Sequence, residues 1–583
     1  MSRRTIALLA LLVAAVALLV TEVGAAAHRT PQQAGAALKT KPKKKAKKPK
    51  RKPKPLTARQ KLAKIKHIVV IYEENHSFDN LYGGWEGVNG LRFAEPLLTT
   101  QVSQAGTPYR CLLQVDVNLA SPPQPADCTD RTTATTFTSH FRNTWFLIDP
   151  LIPPTATTCP PPLMAFNFPN GVPNGSGQPG GCTRDLVHEF YQNQYQLDGG
   201  KVDLYTTGSD AVGLTQGVYD TVALPIYKYL HAAKHPHYAI ADNFFQAAFG
   251  GSFLNHQWLI AAATPTYPNP PDTLRSIIDS NGMPVKYPLY TPTGPVRRGP
   301  ITVACPSPVA NRACGDFAVN TMQPTNPPSG SFGAKLPLQT APTIGDRLTD
   351  RGIDWAWYSG GWSNAAGDMG APGWTNGNGP NCSDPNVIPG SKFPNCPDAL
   401  FQFHHQPFNY FANYGPGAPG RTHLRDEAEF IQLAQGSGSS CRLKPVSFVK
   451  PIGEENEHPG YASEPNGSSH LVDLLKTIEG SGCARDTMVI VAYDEFGGQW
   501  DHVAPPGQGN ENGPHDMWGP GTRIPALIVS PYLRGNFVVD STEHDTTSIL
   551  ATIEHRFGVT PLGTRDAAVA DLKSVFTAAP ARP

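Results

Sequence analysis

The segment TMVIVAYDEFGGQWDH, residues 487–502, joins an apolar, β-branched run directly to two acidic residues, a glycine pair and an Asp-His dipeptide. Such a run with an abrupt charged end is typical of a buried parallel strand whose carboxyl end opens into a loop. Open α/β sheets bind their ligands at that edge. The segment therefore predicts an α/β fold with a mostly parallel sheet and a functional site beside Asp494 and Glu495.

Two interpretations of the acidic pair are open at this point. Adjacent buried carboxylates are costly unless they share a proton or bind a cation, so Asp494 and Glu495 indicate a metal or a shared proton. Gly497 and Gly498 would then let the backbone approach the bound group. Alternatively, these four residues form only a solvated turn, which is the commoner meaning of such a sequence in isolation.

Residues 1–27 have the layout of a secretory signal peptide. Two arginines at 3–4 precede an apolar stretch at 6–20, and alanines at 25–27 offer a cleavage site. The apolar stretch is short for a membrane span, although an uncleaved N-terminal anchor is the alternative. We expect a protein that is secreted or associated with the cell envelope.

Residues 28–60 are predicted to form a disordered basic tether. Its part TKPKKKAKKPKRKPKP, residues 40–55, contains ten Lys or Arg and no acidic residue. Self-repulsion and the prolines prevent a packed core in this stretch. The tether would contact an anionic cell wall or membrane surface, or it would serve only as a spacer.

The charge balance of the remaining chain differs from that of the whole. The 583 residues contain 48 Lys and Arg against 47 Asp and Glu, but residues 1–55 hold fourteen of the bases and one of the acids. The rest therefore carries 34 basic against 46 acidic residues, or a net charge of −12. Such an acidic body is a poor binder of nucleic acid, and we expect no nucleic-acid partner.

The ten cysteines form an even set without CxxC spacing, which in an exported chain favours disulfides over a zinc site. Pairs close in sequence are the simplest expectation, namely Cys305 with Cys314 and Cys382 with Cys396. The other six are Cys111, Cys128, Cys159, Cys182, Cys441 and Cys483. Together with the 55 Gly and 59 Pro, the ten cysteines indicate long loop insertions that are stapled by disulfides.

A second strand end rich in oxygen donors lies near the start of the folded part. The stretch KIKHIVVIYEENHSFDNLYGG begins at Lys64, and its apolar run ends at Glu73, Glu74 and Asn75. Carboxylate and amide oxygens suit Ca²⁺, Mg²⁺ or Mn²⁺. For Glu74 alone, the alternative is an acidic residue that caps a helix.

A candidate nucleophile lies in the middle of the chain. Gly250 and Gly251 precede Ser252, and a helical pattern follows it. A serine on a glycine turn at a helix N-terminus is exposed and lies near free N–H groups, and Asn255 one turn later would point to the same side. The alternative is that Ser252 is simply an N-cap residue.

Several motifs together resemble the bacterial phosphoesterase family of acid phosphatases and phospholipases C, within the alkaline-phosphatase-like superfamily. They are ENHSFDN from Glu74, GGSFLNH from Gly250, HHQPF from His404, EHPG from Glu457, YDEFGGQWDHV from Tyr493, RIPALIVSPYLRG from Arg523 and HDTTSILATIEHRFG from His544. The resemblance extends, in order, from about residue 64 to residue 558.

The resemblance implies a site built around one divalent metal ion. By that resemblance, Ser252 is the phosphorylated nucleophile and a metal ligand, together with Glu74, Asn75, Asp494 and Glu495. The implied phosphate-binding residues are Asn255, His404, His405, His188 and His502, with His502 as either a pocket residue or a group that orients a carboxylate. We expect His458 to protonate the leaving alcohol, because imidazole titrates near neutral pH. The residues after Ser252 lack the Pro and Arg of a sulfatase, so sulfatase chemistry is not expected.

The coarse fold prediction combines these elements into a sheet with helices on both faces. Predicted strands are 67–72, 353–358, 446–449, 488–493 and 526–529, and predicted helices are 469–478 and 546–557. Residues 61–575 would form a single phosphoesterase domain with surface insertions at 100–180, 265–345 and 360–400.

Three functions are considered. The first is a secreted, metal-dependent acid-phosphatase-like phosphomonoesterase. Ser252 with Asn255 slightly favours it, because many phospholipase-type members of the family that the chain resembles carry Thr at the nucleophile position. The second is a phospholipase C that cleaves phospholipid headgroups. The third is a non-catalytic cell-surface binding protein, which the complete set of oxygen donors disfavours.

Overall fold

The computed structural model describes residues 54–112, 129–130, 137–138, 142–150, 185–209, 212–284, 297–306, 312–331, 333–459, 462–508 and 513–581. The predicted signal peptide and nearly all of the predicted tether lie outside these ranges. Within them, no helix is long and apolar enough to cross a membrane. Helix α1, Ala58–Leu62, begins inside the range predicted as tether and is capped by Thr57.

A nine-stranded sheet forms the centre of the described part. In chain order its strands are β1 His67–Glu73, β2 Tyr238–Ala241, β3 Trp355–Ser359, β4 Leu424–Asp426, β5 Val446–Lys450, β6 Thr487–Tyr493, β7 Ala526–Val529, β8 Phe537–Asp540 and β9 Ala579–Pro580. The order across the sheet is β9-β8-β2-β7-β6-β1-β5-β3-β4. All strands except β7 and β9 run in the same direction.

The helices cover both faces of this sheet. After α1 they are α2 Phe78–Leu81, α3 Pro96–Thr99, α4 Phe190–Leu197, α5 Pro225–Leu230, α6 Ser252–Ala261, α7 Ile344–Asp350, α8 Trp362–Ala366, α9 Glu427–Gln435, α10 Glu464–Glu479, α11 Thr547–Phe557 and α12 Thr564–Ala568. Helix α10 packs against α5 and α9, whereas α6 packs against α7 and α11. The predicted fold class is therefore confirmed.

The central strands are apolar along their whole length because both faces are covered. Every residue of β6 is buried, and β1 is buried from Ile68 onward. Strand β1 pairs with β6 in parallel from His67 opposite Thr487 to Glu73 opposite Tyr493. It pairs on its other side with β5, also in parallel. The carboxyl ends of these three strands thus lie side by side at one edge of the sheet.

All five predicted strands and both predicted helices are present, with ends that differ by a few residues. The largest difference is at α10, which begins five residues before the predicted start at 469 because Ser463 caps it by accepting from the backbone N–H of Asn466. The prediction missed the short strands β2, β4, β8 and β9, whose two to four residues give little pattern to detect.

Disulfides staple the loops. Both predicted pairs, Cys305–Cys314 and Cys382–Cys396, are confirmed, and a third joins Cys441 to Cys483. Cys111 is also disulfide-bonded, while Cys128, Cys159 and Cys182 lie outside the described residues. The described parts of the insertions at 265–345 and 360–400 contain isolated bridges and short helical turns, but no strand of the main sheet.

Candidate active site

The carboxyl ends of β1, β5 and β6 bring three acidic side chains together. Glu74 follows β1, and Asp494 and Glu495 follow β6. All three have no solvent exposure, so the solvated-turn interpretation of the acidic pair is wrong. Since the strands are adjacent and parallel, the sheet itself brings Glu74 to the acidic pair, which lies more than 400 positions later in the sequence.

Backbone conformation fixes the two acidic loops, which follow β1 at Glu74 and β6 at Asp494, against each other. Asn75 adopts a positive φ of 53°, and its N–H donates to Asp494 Oδ1 at 3.1 Å. Gly497 has a φ of 62°, and a Cβ at this position would lie 2.3 Å from the carbonyl oxygen of Asn75. Gly498 makes similar room for Leu186. The glycine pair therefore permits close packing of protein segments, not the approach of a ligand as predicted.

Ser252 is the first residue of α6 and faces the acidic loops. Its Oγ lies 3.2 Å from Glu74 Oε2, 3.3 Å from Asn75 Oδ1 and 3.4 Å from Glu495 Oε1. The N-cap residue is Gly251 and not Ser252, so the capping interpretation of the serine is wrong. The hydroxyl is free of the helix backbone and sits among oxygen donors from two strand ends.

The turn before Ser252 is held by α6 itself. Asn255 Oδ1 accepts from the N–H of Ala248, and its Nδ2 donates to the carbonyl oxygens of Ala248, Gly250 and Gly251 at 3.1 to 3.3 Å. Gly250 has a φ of 89°, where a Cβ would clash with the backbone of Phe190. The role of Asn255 as a phosphate ligand stays a prediction, because in this structure its side-chain amide is bonded to the backbone of the turn before Ser252.

Burial perturbs the ionisation of the acidic pair. It raises the pKa of Asp494 to about 7, with a further contribution from the charge of Glu74. Burial also raises the pKa of Glu495 well above its usual range. Asp494 Oδ2 has no hydrogen-bond partner although it is fully buried. Such an arrangement favours a bound cation, which would supply the missing charge and the missing partner.

Glu74 behaves differently because it has a cationic neighbour. Its Oε1 forms a buried ion pair with Lys450, the last residue of β5. Burial would raise the pKa of Glu74, but contacts with His405 and Lys450 outweigh it and hold the pKa well below its usual range. Burial lowers the pKa of His405 itself to about 4. The helix-capping interpretation of Glu74 is wrong.

A cavity of about 200 Å³ opens beside Ser252. His188, His404 and His458 line it, and His405 lies behind it, with its Nε2 3.0 Å from Glu74 Oε1. The structure thus brings four of the predicted histidines into the region of Ser252. Asp185 and Glu189 also line the cavity.

Two of these histidines differ in their hydrogen bonds. His458 Nδ1 donates to the carbonyl oxygen of Pro459 at 2.7 Å, and its Nε2 accepts from Asn75 Nδ2 at 2.9 Å. His188 Nδ1 donates to the carbonyl oxygen of Leu186 at 2.6 Å, and its Nε2 lies 3.6 Å from Glu495 Oε1. Burial lowers the pKa of His458, whereas for His188 the charges of Glu495 and Asp185 outweigh burial and raise the pKa to about 9.

His502 does not line the cavity beside Ser252, in contrast to its predicted place among the phosphate-binding residues. Its Nδ1 lies 2.5 Å from Asp79 Oδ2, in a buried cluster that also contains Asp501 and Arg523. Arg523 donates to Asp501 Oδ1 at 3.0 Å and to Asp79 Oδ1 at 3.1 Å. The cluster ties α2 to the loop after β6 and so supports the acidic loops from behind.

The residues present fit a divalent cation. Oxygens of Glu74, Asn75 and Glu495 surround Ser252 Oγ, and the unpaired Asp494 Oδ2 adds a further donor in the same loops. Such hard donors suit Ca²⁺, Mg²⁺ or Mn²⁺. Among the described residues, three groups of His, Asp and Glu side chains have metal-ligand spacing: Glu74-His256-His405, Asp79-Asp501-His502 and Glu427-Glu455-His470. The second of these already holds the guanidinium of Arg523.

Sequence reasoning missed four residues of this region: Lys450, His256, Asp79 and Arg523. His256 had a usable signal, because it lies one helical turn after Ser252; its Nδ1 donates to the Ser252 carbonyl oxygen at 2.8 Å. Lys450 had a weaker signal as a charged residue at the end of a predicted strand. The pairing of Asp79 with Arg523 has no local signal.

A serine hydroxyl among carboxylate and amide oxygens at a helix N-terminus is typical of a phosphoric ester hydrolase. The chain belongs to the Phosphoesterase family, whose model matches residues 65–560. Over 552 residues it is 24% identical to phospholipase C A of Mycobacterium tuberculosis, covering 88% of this chain and 78% of that protein. It is 38% identical over 167 residues to phospholipase C B of the same organism, where the match spans 24% of this chain and only 31% of the relative's length.

Further relatives and solved structures are more distant. Non-hemolytic phospholipase C of Burkholderia pseudomallei is 29% identical over 204 residues, which cover 29% of each chain. A protein in the alkaline phosphatase superfamily from Vibrio parahaemolyticus has a TM-score of 0.26 at 12% identity, covering 73% of this chain and 79% of that one. The predicted family and enzyme class are confirmed by the family match, and the binding-protein alternative is dropped.

Proposed function

We propose that the cavity beside Ser252 is the active site of a metal-dependent phosphomonoesterase that works through a phosphoserine intermediate. The observation that carries this proposal is the position of Ser252 Oγ, within 3.4 Å of oxygens from Glu74, Asn75 and Glu495 at a helix N-terminus. Phosphoryl transfer needs a positioned nucleophile, positive charge for the phosphoryl oxygens and a proton for the leaving group. The residues around the cavity can supply each of these.

One divalent ion would be held by Glu74, Asn75, Ser252, Asp494 and Glu495. When bound, it supplies positive charge for the phosphoryl oxygens and lowers the pKa of the serine hydroxyl. Its identity among Ca²⁺, Mg²⁺ and Mn²⁺ is left to experiment. The buried, unpaired Asp494 Oδ2 supports this part of the proposal.

The hydroxyl of Ser252 loses its proton to solvent and its Oγ attacks phosphorus in line; the bond from phosphorus to the leaving oxygen breaks, and that oxygen takes up a proton. A water molecule then hydrolyses the phosphoserine and releases inorganic phosphate. Backbone N–H groups at the start of α6 and the side chain of His404 would bind the nonbridging oxygens, whereas His405, which does not line the cavity, would contact Glu74. Asn255 would maintain the turn that presents the hydroxyl.

The proton donor is better assigned to His188 than to His458. In His458 both ring nitrogens are engaged, and Nε2 acts as an acceptor from Asn75, so it has no proton to give in this arrangement. In His188, Nδ1 donates to a backbone carbonyl, which leaves Nε2 directed towards Glu495 at the cavity. We therefore move the predicted acid role to His188 and propose that His458 positions Asn75.

The substrate class has two candidates. A cavity of about 200 Å³ supports small phosphomonoesters, because it accommodates a phosphate and a short alcohol but not two acyl chains. Phospholipase C activity is the second candidate, since the curated relatives named above are phospholipases C. In that case the acyl chains would have to remain outside the cavity.

Location and partners follow from the N-terminal segments and remain proposals. The signal-like residues 1–27 support a secreted or envelope-associated protein. The basic segment 28–60 would hold it near an anionic cell wall or membrane surface. Of these two segments, only residues 54–60 lie within the described part of the chain.

Intact-protein mass spectrometry after an acid quench with p-nitrophenyl phosphate tests the mechanism. We expect an added phosphate that maps to Ser252, disappears after chelation and is absent from Ser252→Ala, which should also lose hydrolysis while keeping its thermal transition. The matched control is Ser363→Ala, a buried serine on α8 away from the cavity. Undiminished hydrolysis by Ser252→Ala would refute the nucleophile assignment. The substrate candidates are separated by comparing this ester with a phosphatidylcholine dispersion.

A further inference from the structure

The two carboxylate oxygens of Glu74 face different groups. Oε2 points towards the nucleophile and lies 3.2 Å from Ser252 Oγ. Oε1 points away from it, towards His405 Nε2 at 3.0 Å and His256 Nε2 at 3.9 Å. Glu74 therefore stands between the proposed ion site and a second group of potential ligands, Glu74-His256-His405, whose atoms all lie within 4.8 Å of one another.

This second group has the features of a cation site. His256 and His405 are buried; the Nε2 atom of His256 has no hydrogen-bond partner, and that of His405 faces only Glu74 Oε1. His256 Nδ1 donates to the Ser252 carbonyl oxygen, so in the neutral ring the lone pair is on Nε2. The two rings stack with 5.1 Å between centroids and 3° between planes, which aligns their edges. Two imidazole nitrogens and one carboxylate oxygen form a ligand set typical of zinc.

A cation is already present at this position. The ammonium of Lys450 forms an ion pair with the same oxygen, Glu74 Oε1, and donates to the carbonyl oxygen of Tyr72 at 2.9 Å. The Lys450 side chain has no solvent exposure. Burying an ammonium is costly unless its charge is compensated, and Glu74 provides that compensation here.

The charge balance of the region favours one bound divalent ion over two. Glu74, Asp494 and Glu495 contribute three negative charges when ionised, and Lys450 contributes one positive charge. The remaining two negative charges, or one when His188 carries the proton of its acid role beside Glu495, leave none for a second divalent cation. Without the lysine, the net negative charge around one bound ion would rise by one in a buried site that must also accept an anionic phosphate.

We propose that the amino group of Lys450 occupies a second metal position formed by Glu74, His256 and His405, and thereby limits the active site to one ion. This inference rests on the proposed single-ion phosphoesterase site. Lys450 is a positioning residue in this scheme: it acts through Glu74, whose Oε1 it holds so that only Oε2 remains for the ion and the nucleophile.

Two substitutions separate the charge of Lys450 from the space it fills. Lys450→Ala removes the ammonium and leaves room for an ion between Glu74 and the histidines. Lys450→Met removes the charge but fills the space with a side chain of similar length. Lys444→Ala is the matched control, because Lys444 precedes the same strand and pairs with Asp354 at the surface. Zn²⁺ is the probe, and the number bound per chain is measured by titration calorimetry and native mass spectrometry.

We expect one Zn²⁺ per chain in the wild type, in Lys444→Ala and in Lys450→Met, and two in Lys450→Ala. Adding His405→Ala to Lys450→Ala should return the number to one. A folded Lys450→Ala that still binds one ion, or a wild type that binds two, overturns the inference. A wild type that binds none contradicts the proposed function instead. If Lys450→Ala does not fold without metal, refolding in Zn²⁺ with two bound ions supports the inference, and failure to refold overturns it.

Discussion

The pair of His470 and Glu427 makes stability depend on pH in a way that can be calculated. His470 Nε2 on α10 lies 2.8 Å from Glu427 Oε1 on α9, and Nδ1 lies 3.7 Å from Glu455 Oε1. The side chains of His470 and Glu427 are 16% and 5% exposed. Burial would lower the pKa of His470, but the charge and hydrogen bond of Glu427 outweigh it and raise the pKa to about 9.

A histidine whose pKa is raised by folding contributes stability that is complete below its unfolded pKa and is lost as pH rises through its folded pKa. For His470 this window runs from 6.5 to about 9. The corresponding free energy is about 3 kcal/mol, an upper value because the group is partly exposed. His470→Gln keeps a hydrogen bond to Glu427 but removes the charge. We expect it to lower the free energy of unfolding by about 3 kcal/mol at pH 6 and by nearly nothing above about pH 9.5.

The assay is urea unfolding followed by fluorescence, with a saturating divalent cation so that the active site is constant. Lys476→Gln is the control, since it breaks an exposed pair with Asp473 on the same helix and should cost less than about 0.5 kcal/mol at either pH. A loss in His470→Gln that is constant with pH, or that grows as pH rises, would refute the reasoning. A loss that disappears on chelation would mean that Glu427, Glu455 and His470 bind a metal ion instead.

Two further predictions concern the active site. His188→Gln should slow the steady-state hydrolysis of alkyl phosphates by at least about 100-fold. It should affect p-nitrophenyl phosphate much less, because a good leaving group needs no proton. Equal losses of rate for both esters would exclude His188 as the proton donor. Gly497→Ala should destabilise the fold by about 2 kcal/mol or more, since its Cβ would overlap the Asn75 carbonyl. Gly390→Ala, at a φ of 86° in open space, is its control in thermal melts, and equal effects of the two would contradict the packing argument.

The sequence was most informative where local pattern and tertiary role coincide. Strands β1 and β6 are buried on both faces, so their apolar runs are visible without any knowledge of neighbours. Their carboxyl ends carry Glu74, Asp494 and Glu495, and the parallel order of a covered sheet is enough to bring such ends together. The motif around Ser252 was visible because the glycine turn and the helix that follows are contiguous.

The sequence was least informative where a residue's environment comes from distant segments. His502 follows the acidic loop directly, yet it turns towards Asp79 and lies outside the Ser252 cavity. The glycines at 497–498 indicated close approach correctly, but the group that approaches is another part of the chain. Lysine is rarely buried, so nothing in SFVK distinguished Lys450 from a solvated strand end.

The sequence by itself determined the fold class, the family and the set of oxygen donors, because each depends on short contiguous patterns of apolar and polar residues. Only the tertiary structure decided how those donors are shared. Ser252 meets Glu74 across 178 residues and Glu495 across 243, and Lys450 takes the other oxygen of Glu74 from a neighbouring strand. The direction in which a side chain points depends on packing among distant segments, and that packing exists only once the sheet has assembled.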